Sequence, residues 1–577
     1  MAISMRRVRF EPTPRIGPAD GDGRQGARPP RKRWPTATVA LSAILTLGAH
    51  ADDTGAPSSV ASSERPAPSV EIPAEFDLAA TLTRLARPRA TVEIERADGR
   101  RIRSHLYDAS ALPERQLGCI INEHQRLRLE TLVAGRETTA DGVQSEDTLA
   151  SQVSVAGQYV VTMAATLDDA HARARLGALG VEVVRRIGQR PIYLVEVADD
   201  RDSPAQASSV ERLRKAEGVI AVDPEFILES TAGDLESDGT APAQWHLDAV
   251  RARDAWKLAD CSSRPLVAVI DTAMRLSHPD LKDNIWSNPG ESGANATDGD
   301  DNDGNGFDDD EHGWDFVDWD NDVAELGKTT NERQHGTRVA GIIAASGSVP
   351  GVCPGARILP LRAVCEDREG VTALTTISRL LDALDYIINL CVISGECARV
   401  INISAVHKCI KELECPPASE VTLIREAAAH SMLVVAAAGQ DRCCRDIDKP
   451  CCRRYPAGLD EPNLIAVAAT RNDDHLWGSS NYGKTLVALG APGVDIYSPS
   501  DSMDGNLYGV QSGTSFATPM VAGAALILLD RCPLLDATAI KTHIVTNAFP
   551  VPALRDKVVS GGRLDLFATL QACPPAR

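Results

Sequence analysis

Three side chains set far apart in the chain have the types needed for a nucleophilic site: Asp271, His335 and Ser515, in that order. A serine hydroxyl is a weak nucleophile until an imidazole takes its proton. The imidazole in turn needs a carboxylate to hold its tautomer and stabilise its cation. Ser515 lies in Gly513-Thr514-Ser515-Phe516-Ala517-Thr518-Pro519-Met520-Val521-Ala522-Gly523, which reads as a tight turn delivering a serine to the first turn of a helix. Gly513 supplies the freedom for the turn, and Pro519 is tolerable only close to a helix start. Backbone N–H groups and the positive end of the helix dipole would stabilise an anion forming beside Ser515.

The other two residues need their own supports. Residues 265–272 form a short apolar run of the kind buried in a parallel sheet, with Asp271 at its carboxyl end, where open α/β sheets place their chemistry. Residues 334–345 read as a helix with His335 at its entrance. Ile358 to Val364, Val400 to Ser404, Met432 to Ala438 and Leu464 to Ala469 read as further strands. Ile377, Leu380, Leu381, Leu384 and Ile388 make a helical face between the first two of these. Such alternation predicts a mostly parallel α/β sheet.

The order Asp, His, Ser is that of subtilisin, and the chain resembles the subtilisin-like serine proteases, the subtilases. The likeness extends to Gln244-Trp245-His246-Leu247, Ser277-His278-Pro279-Asp280-Leu281, Gly351-Val352-Cys353-Pro354-Gly355-Ala356, Tyr455-Pro456-Ala457, Ser480-Asn481-Tyr482-Gly483 and Ala491-Pro492-Gly493-Val494. It implies a three-layer α/β catalytic domain over 243–577, with Asp271, His335 and Ser515 as the catalytic triad and polypeptides as substrates. It also implies substrate contacts at Ser404, Ala405, Val406 and Gly439. The family has an oxyanion-donating asparagine where this chain has Gln440, and Ser-x-Gly where this chain has Ser404-Ala405-Val406. Glutamine keeps the amide but adds a methylene, and the larger Val406 would narrow the primary specificity cleft or displace the peptide. Reduced but real activity is expected. A silent subtilase that binds polypeptides without cutting them is the alternative.

Residues 157–229 read in the order β-α-β-β-α-β, a small ferredoxin-like α+β unit. Its position directly before the subtilase match resembles the family's propeptide, which serves as folding aid and intramolecular inhibitor, here placed at 151–242. Cleavage is expected between Ser230 and Ala243. Residues 52–150 are a linker and a region with no assignable function. A basic cluster, a short apolar run and Ala49-His50-Ala51 make 1–51 an export signal rather than a stable membrane anchor, predicting a secreted or periplasmic protein.

Fourteen cysteines agree with an oxidising destination, and thirteen lie beyond residue 243. The tandem pairs Cys443-Cys444 and Cys451-Cys452 read as disulfide partners, because adjacent cysteines cannot easily face one zinc ion. A formal net charge of −20 argues against nucleic acid. Part of it is local: twelve acidic residues and no Lys or Arg lie between Asp298 and Asp322. Asp301, Asp303, Asn305 and Asp309 flank turn glycines at a spacing that suits structural calcium, against the simpler reading of a solvated acidic loop. A second calcium site at Gln244 and Asp280 is disfavoured by the short Ser346 to Gly351 loop.

Overall fold

The computed structural model describes residues 151–197, 205–230, 232–233, 244–324, 334–366, 373–408, 416–441, 444–501 and 506–573, with the backbone of four more strands. Those four are Ala40–Leu45, Ala90–Glu95, Arg101–Asp108 and Leu129–Val133. The export and linker segments expected at 1–51 and 52–150 otherwise lie outside the described residues, as does most of the expected maturation stretch Ser230 to Ala243. No helix among the described residues is long and apolar enough to cross a membrane.

Strand β1 (Ser151–Met163) leads through helix α1 (Asp169–Ala178) to β2 (Val181–Ile187) and β3 (Ile192–Val197). Helix α2 (Ala205–Arg214) and β4 (Val219–Ser230) complete the β-α-β-β-α-β order, and a two-residue strand, β5 (Ala232–Gly233), follows. Asp168 caps α1 by accepting from His171 N at 2.9 Å. A small core of Val161, Leu176, Tyr193, Val195 and Leu213 closes one face of this unit.

The larger part is built on β6 (Leu266–Asp271), α3 (Gln334–Ala344), β7 (Arg357–Arg362), β8 (Ala373–Thr376), α4 (Ile377–Ser394), β9 (Val400–Ile403) and β10 (Ala405–Lys408). There follow α5 (Ala418–Ala429), β11 (Leu433–Ala437), β12 (Arg454–Tyr455), β13 (Leu464–Thr470), β14 (Val487–Pro492), β15 (Tyr508–Gly513) and α6 (Thr514–Arg531). A nine-stranded sheet contains β7-β6-β9-β11-β13-β14 as consecutive neighbours, all parallel.

Alternation along each strand explains the three layers. Val267 and Val269 join the core under α3 and α6, whereas Leu266, Ala268 and Ile270 join the core under α4 and α5. Leu433 and Val435 against Val434 and Ala436 repeat the pattern. A strand covered on both faces must be apolar at every position, which is why these runs were continuous in the sequence. The expected strands were found within about two residues except in the N-terminal unit, where β1 begins at Ser151, ahead of the expected start of the unit at 157. Val219 to Val222 read as the beginning of the last strand of the N-terminal unit, and that strand continues to Ser230. Its far end leaves that unit and enters the larger one: Ile227, Leu228 and Glu229 pair antiparallel with Thr376, Thr375 and Leu374 of β8.

Candidate active site

Asp271 ends β6, and its Oδ1 lies 2.6 Å from Nδ1 of His335, with both side chains buried. Thr272 N donates to the same carboxylate oxygen at 2.7 Å. A second link sets the height of the histidine helix, since Gly336 N donates to Thr272 Oγ1 at 2.9 Å. A Cβ on Gly336 would sit 2.6 Å from Thr272 O and 2.8 Å from Ala273 O, so only glycine lets α3 approach β6 this closely. The imidazole packs at 5.2 Å, centroid to centroid, against the ring of Phe516, the residue after Ser515.

Ser515 is fully buried in the first turn of α6. Pro519 has no N–H, so the Ser515 carbonyl lacks its ordinary helical donor four residues on. Ser404 Oγ donates to that carbonyl at 3.1 Å, and Asn402 Nδ2 donates to Ser404 Oγ at 3.1 Å. Ser404, expected as a substrate contact, is thus tied to the backbone of the serine helix.

Gln440 follows the end of β11 and bridges to Ser480 through the backbone. Its Oε1 is buried with no hydrogen-bond partner among the described residues. Gly439 is at φ +91°. Asn481 braces this corner: its Nδ2 donates to Ala438 O at 3.0 Å and to Asp441 Oδ2 at 2.8 Å, while its Oδ1 accepts from Asp441 N at 3.0 Å. The sequence left Asn481 as one letter of a motif and gave no sign of Asp441.

The end of β4 lies along this cleft. Glu229 pairs with Val406 and Ser230 with Ala405, antiparallel, and then Ala232 and Gly233 pair with Gly513 and Ser512, directly before Ser515. Phe226 and Leu228 are fully buried in the core shared with α4 and α5. The Phe226 ring stacks on His407 at 5.3 Å, and His407 stacks on Tyr455 at 5.6 Å and meets Glu420 Oε2 at 3.1 Å.

Two acids of β4 explain why the apolar pattern failed there. Asp223 accepts from Ala418 N at 3.1 Å and from Ser419 N at 3.0 Å, capping α5, which has no side-chain cap of its own. Glu225 accepts from Ser378 Oγ at 2.5 Å in the first turn of α4. Burial raises the pKa of both carboxyls, and hydrogen bonds from Ser419 and Ala418 to Asp223 and from Ser378 and Thr376 to Glu225 partly compensate. Arg185 and Arg190 reach Asp382 and Asp385 of α4 at 2.6 and 2.5 Å.

In the acidic loop the carboxylates of Glu291, Asp301 and Asp303 offer oxygens within 4.8 Å of one another. Glu291, which the sequence did not single out, is buried, and its Oε2 has no hydrogen-bond partner among the described residues. Burial raises its pKa, and this concentration of carboxylate oxygens fits a hard divalent cation. Asp309 points elsewhere, accepting from Gly299 N at 3.1 Å. Asn305 turns its amide toward Asp310 at 2.8 Å and Asp303 at 3.2 Å. Asp280 instead accepts from Val349 N at 3.0 Å and Tyr508 OH at 3.2 Å, and Gln244 donates to Pro350 O at 2.8 Å.

Among the described residues, disulfides join Cys261 to Cys353, Cys391 to Cys397, Cys444 to Cys452 and Cys532 to Cys573. The tandem cysteines therefore contribute to a disulfide through Cys444 and Cys452.

A family model described as the subtilase family matches residues 262–567. A thermophilic serine proteinase of Bacillus sp. (strain AK1) is 34% identical over 281 residues, covering 48% of this chain and 55% of the relative. Thermitase of Thermoactinomyces vulgaris is 30% identical over 286 residues, 49% of this chain and 80% of thermitase. The chain thus spans little more than half of the Bacillus proteinase and most of thermitase. The crystal structure of fervidolysin from Fervidobacterium pennivorans, a keratinolytic enzyme related to subtilisin, superposes with a TM-score of 0.53 at 21% identity, covering 73% of this chain and 62% of fervidolysin. That likeness speaks for the fold. With a family match across more than half its length, laid over the elements that carry Asp271, His335 and Ser515, the chain belongs to the subtilase family.

Proposed function

We propose that the chain is the precursor of an exported serine endopeptidase that cuts itself at the Thr231–Ala232 bond. The observation that carries this reading is the pairing of residues 229–230 with one side of the cleft and 232–233 with the strand leading into Ser515. Residue 231 itself lies outside the described residues, and the registers on either side support this choice of bond. Residues 1–51 act as export signal, 151–231 as inhibitor and folding aid, and the remainder from Ala232 as the enzyme. Residues 52–150 have no assigned role. The disulfides agree with an oxidising compartment outside the cytoplasm.

In the reaction, His335 takes the proton of Ser515 Oγ as the hydroxyl attacks the substrate carbonyl. Asp271 holds the Nδ1–H of His335 and stabilises the imidazolium. The developing oxyanion is met by the Ser515 N–H at the start of α6 and by the amide of Gln440, the second donor. His335 then protonates the leaving amine, and water, deprotonated by the same imidazole, hydrolyses the acyl-enzyme. Calcium held by Glu291, Asp301 and Asp303 would brace the acidic loop and take no part in these steps. Added calcium should raise the thermal midpoint of the wild type and leave a Glu291→Gln variant unmoved. Equal responses would remove Glu291 from the site.

The test compares the full chain with Ser515→Ala. N-terminal sequencing should find a new terminus at Ala232 in the wild type alone, with reaction of Ser515 toward a fluorophosphonate probe. An intact wild-type chain that ignores the probe overturns the protease reading in favour of a subtilase that only binds polypeptides. That second reading draws on Gln440 and Val406 standing where the family has other residues.

A further inference from the structure

The space that receives the substrate side chain beside the cut bond is bounded on one side by Ala405 and Val406 and on the other by Ala438 to Gln440. The pairings of β4 put the substrate backbone on Ala405 and Val406. The reacting carbonyl must face the Ser515 N–H and Gln440, so the side chain of that residue descends between the two walls. Arg454 lies at the bottom. Its backbone pairs with Lys408, at the far end of β10, and its side chain reaches Asp441, just past the end of β11. A Cβ on Gly439 would lie 3.3 Å from Arg454 Cγ and 2.7 Å from Asn481 Nδ2, so the arginine stem already fills the volume below this glycine.

The guanidinium donates three hydrogen bonds. Nη2 donates to Asp441 Oδ1 at 2.5 Å, and Nη1 donates to Cys452 O at 3.0 Å and to Arg453 O at 3.1 Å. The other oxygen of Asp441 accepts from Asn481 Nδ2 at 2.8 Å. Side-chain exposure is 5% for Arg454 and 15% for Asp441. The Cys444–Cys452 disulfide closes the loop between the two partners. A paired, hydrogen-bonded floor of this kind offers no free charge to a substrate, and its stem leaves little depth.

We propose that the Arg454–Asp441 pair is the floor of the primary specificity pocket and restricts the residue on the acyl side of the cut bond to small uncharged side chains. A long aliphatic or aromatic side chain would collide with the arginine stem, and a charged one would be desolvated without a partner. Thr231, the residue proposed at the self-cleavage bond, meets this requirement. The proposal rests on the protease reading above and names the substrates of that same site.

The full chain, expressed and allowed to process, is assayed on peptides that differ only at the residue before the cut. Ala, Ser, Thr and Val should exceed Phe, Leu, Lys and Arg in kcat/KM by at least about tenfold, the scale on which pockets discriminate by size. Arg454→Ala leaves the Asp441 carboxylate uncovered and should raise kcat/KM for Lys and Arg peptides by about tenfold or more. Arg454→Ala with Asp441→Asn should instead admit Phe and Leu. Fluorophosphonate labelling reports whether each variant has an intact site, and the wild-type profile decides the matter if a variant does not fold. A wild type that labels but cleaves Phe or Arg peptides as well as Ala or Thr overturns the pocket proposal alone. So does Arg454→Ala that labels normally with an unchanged profile. A wild type that neither labels nor cleaves overturns the protease reading, and this proposal with it.

Discussion

The wall of the cleft that carries His335 and the wall that carries Gln440 are held by different means. On the first, Asp271 ends a strand, His335 opens a helix and Ser515 opens another, and the supporting contacts are donated by backbone N–H groups: Thr272 N to Asp271, and Gly336 N to Thr272 Oγ1. Backbone geometry at the carboxyl edge of a parallel sheet does most of the positioning. On the second, Asp441, Arg454 and Asn481 hold one another beside Gln440, through side chains drawn from three separate segments. The proposed proton-transfer groups therefore sit on a wall placed mostly by backbone, and the proposed second oxyanion donor and pocket floor on a wall placed mostly by side chains.

Breaking the first wall should have the largest effect. Asp271→Asn keeps the shape but disturbs the tautomer of His335, and kcat should fall about 10⁴-fold, as for the equivalent change in other Ser-His-Asp enzymes. A loss below about tenfold would mean that His335 is held by something other than Asp271. On the second wall, Gln440→Ala should lower kcat about 10²–10³-fold with KM little changed, the loss known from removing the corresponding amide in subtilisin. Gln440→Asn should raise kcat above wild type; an unchanged rate would mean that the longer amide already reaches the oxyanion. The smallest effect sharpens the comparison at its edge, where β4 borrows helix N-termini from the larger part. Asp223→Ala removes the cap on α5 and should destabilise the full Ser515→Ala precursor by about 1 kcal/mol, read as a lower midpoint in urea. No shift would show that the carboxylate merely balances its own burial.

Much of the first wall was legible in the primary structure, for physical reasons. Strands buried on both faces must be continuously apolar, so β6, β9, β11 and β13 announced themselves, and the polar residue at the end of β6 stood out against the run. The departure of Gln440 and Val406 from the family pattern was legible too. The second half of β4 was not, because Asp223, Pro224 and Glu225 interrupt the apolar pattern, and the groups that make those acids acceptable are the N–H groups and hydroxyls at the starts of α4 and α5. Glu291 was missed because it lies outside the acidic repeat and reaches it only through the fold.

By itself the amino-acid order pointed to the proposed reacting groups, the parallel α/β frame and a small β-α-β-β-α-β unit ahead of it, since those follow from local periodicity and from residue types at element ends. Which cysteines join, which acids gather in the loop, where the chain crosses Ser515 and what lies under Gly439 were decided only in three dimensions. Those features depend on side chains and strands that meet across long stretches of sequence, and nothing in either partner's own neighbourhood specifies the other. Arg454 shows this most plainly: next to Arg453 and Tyr455 it reads as one of many surface cations, yet packed beneath Gly439 and paired with Asp441 it closes a pocket.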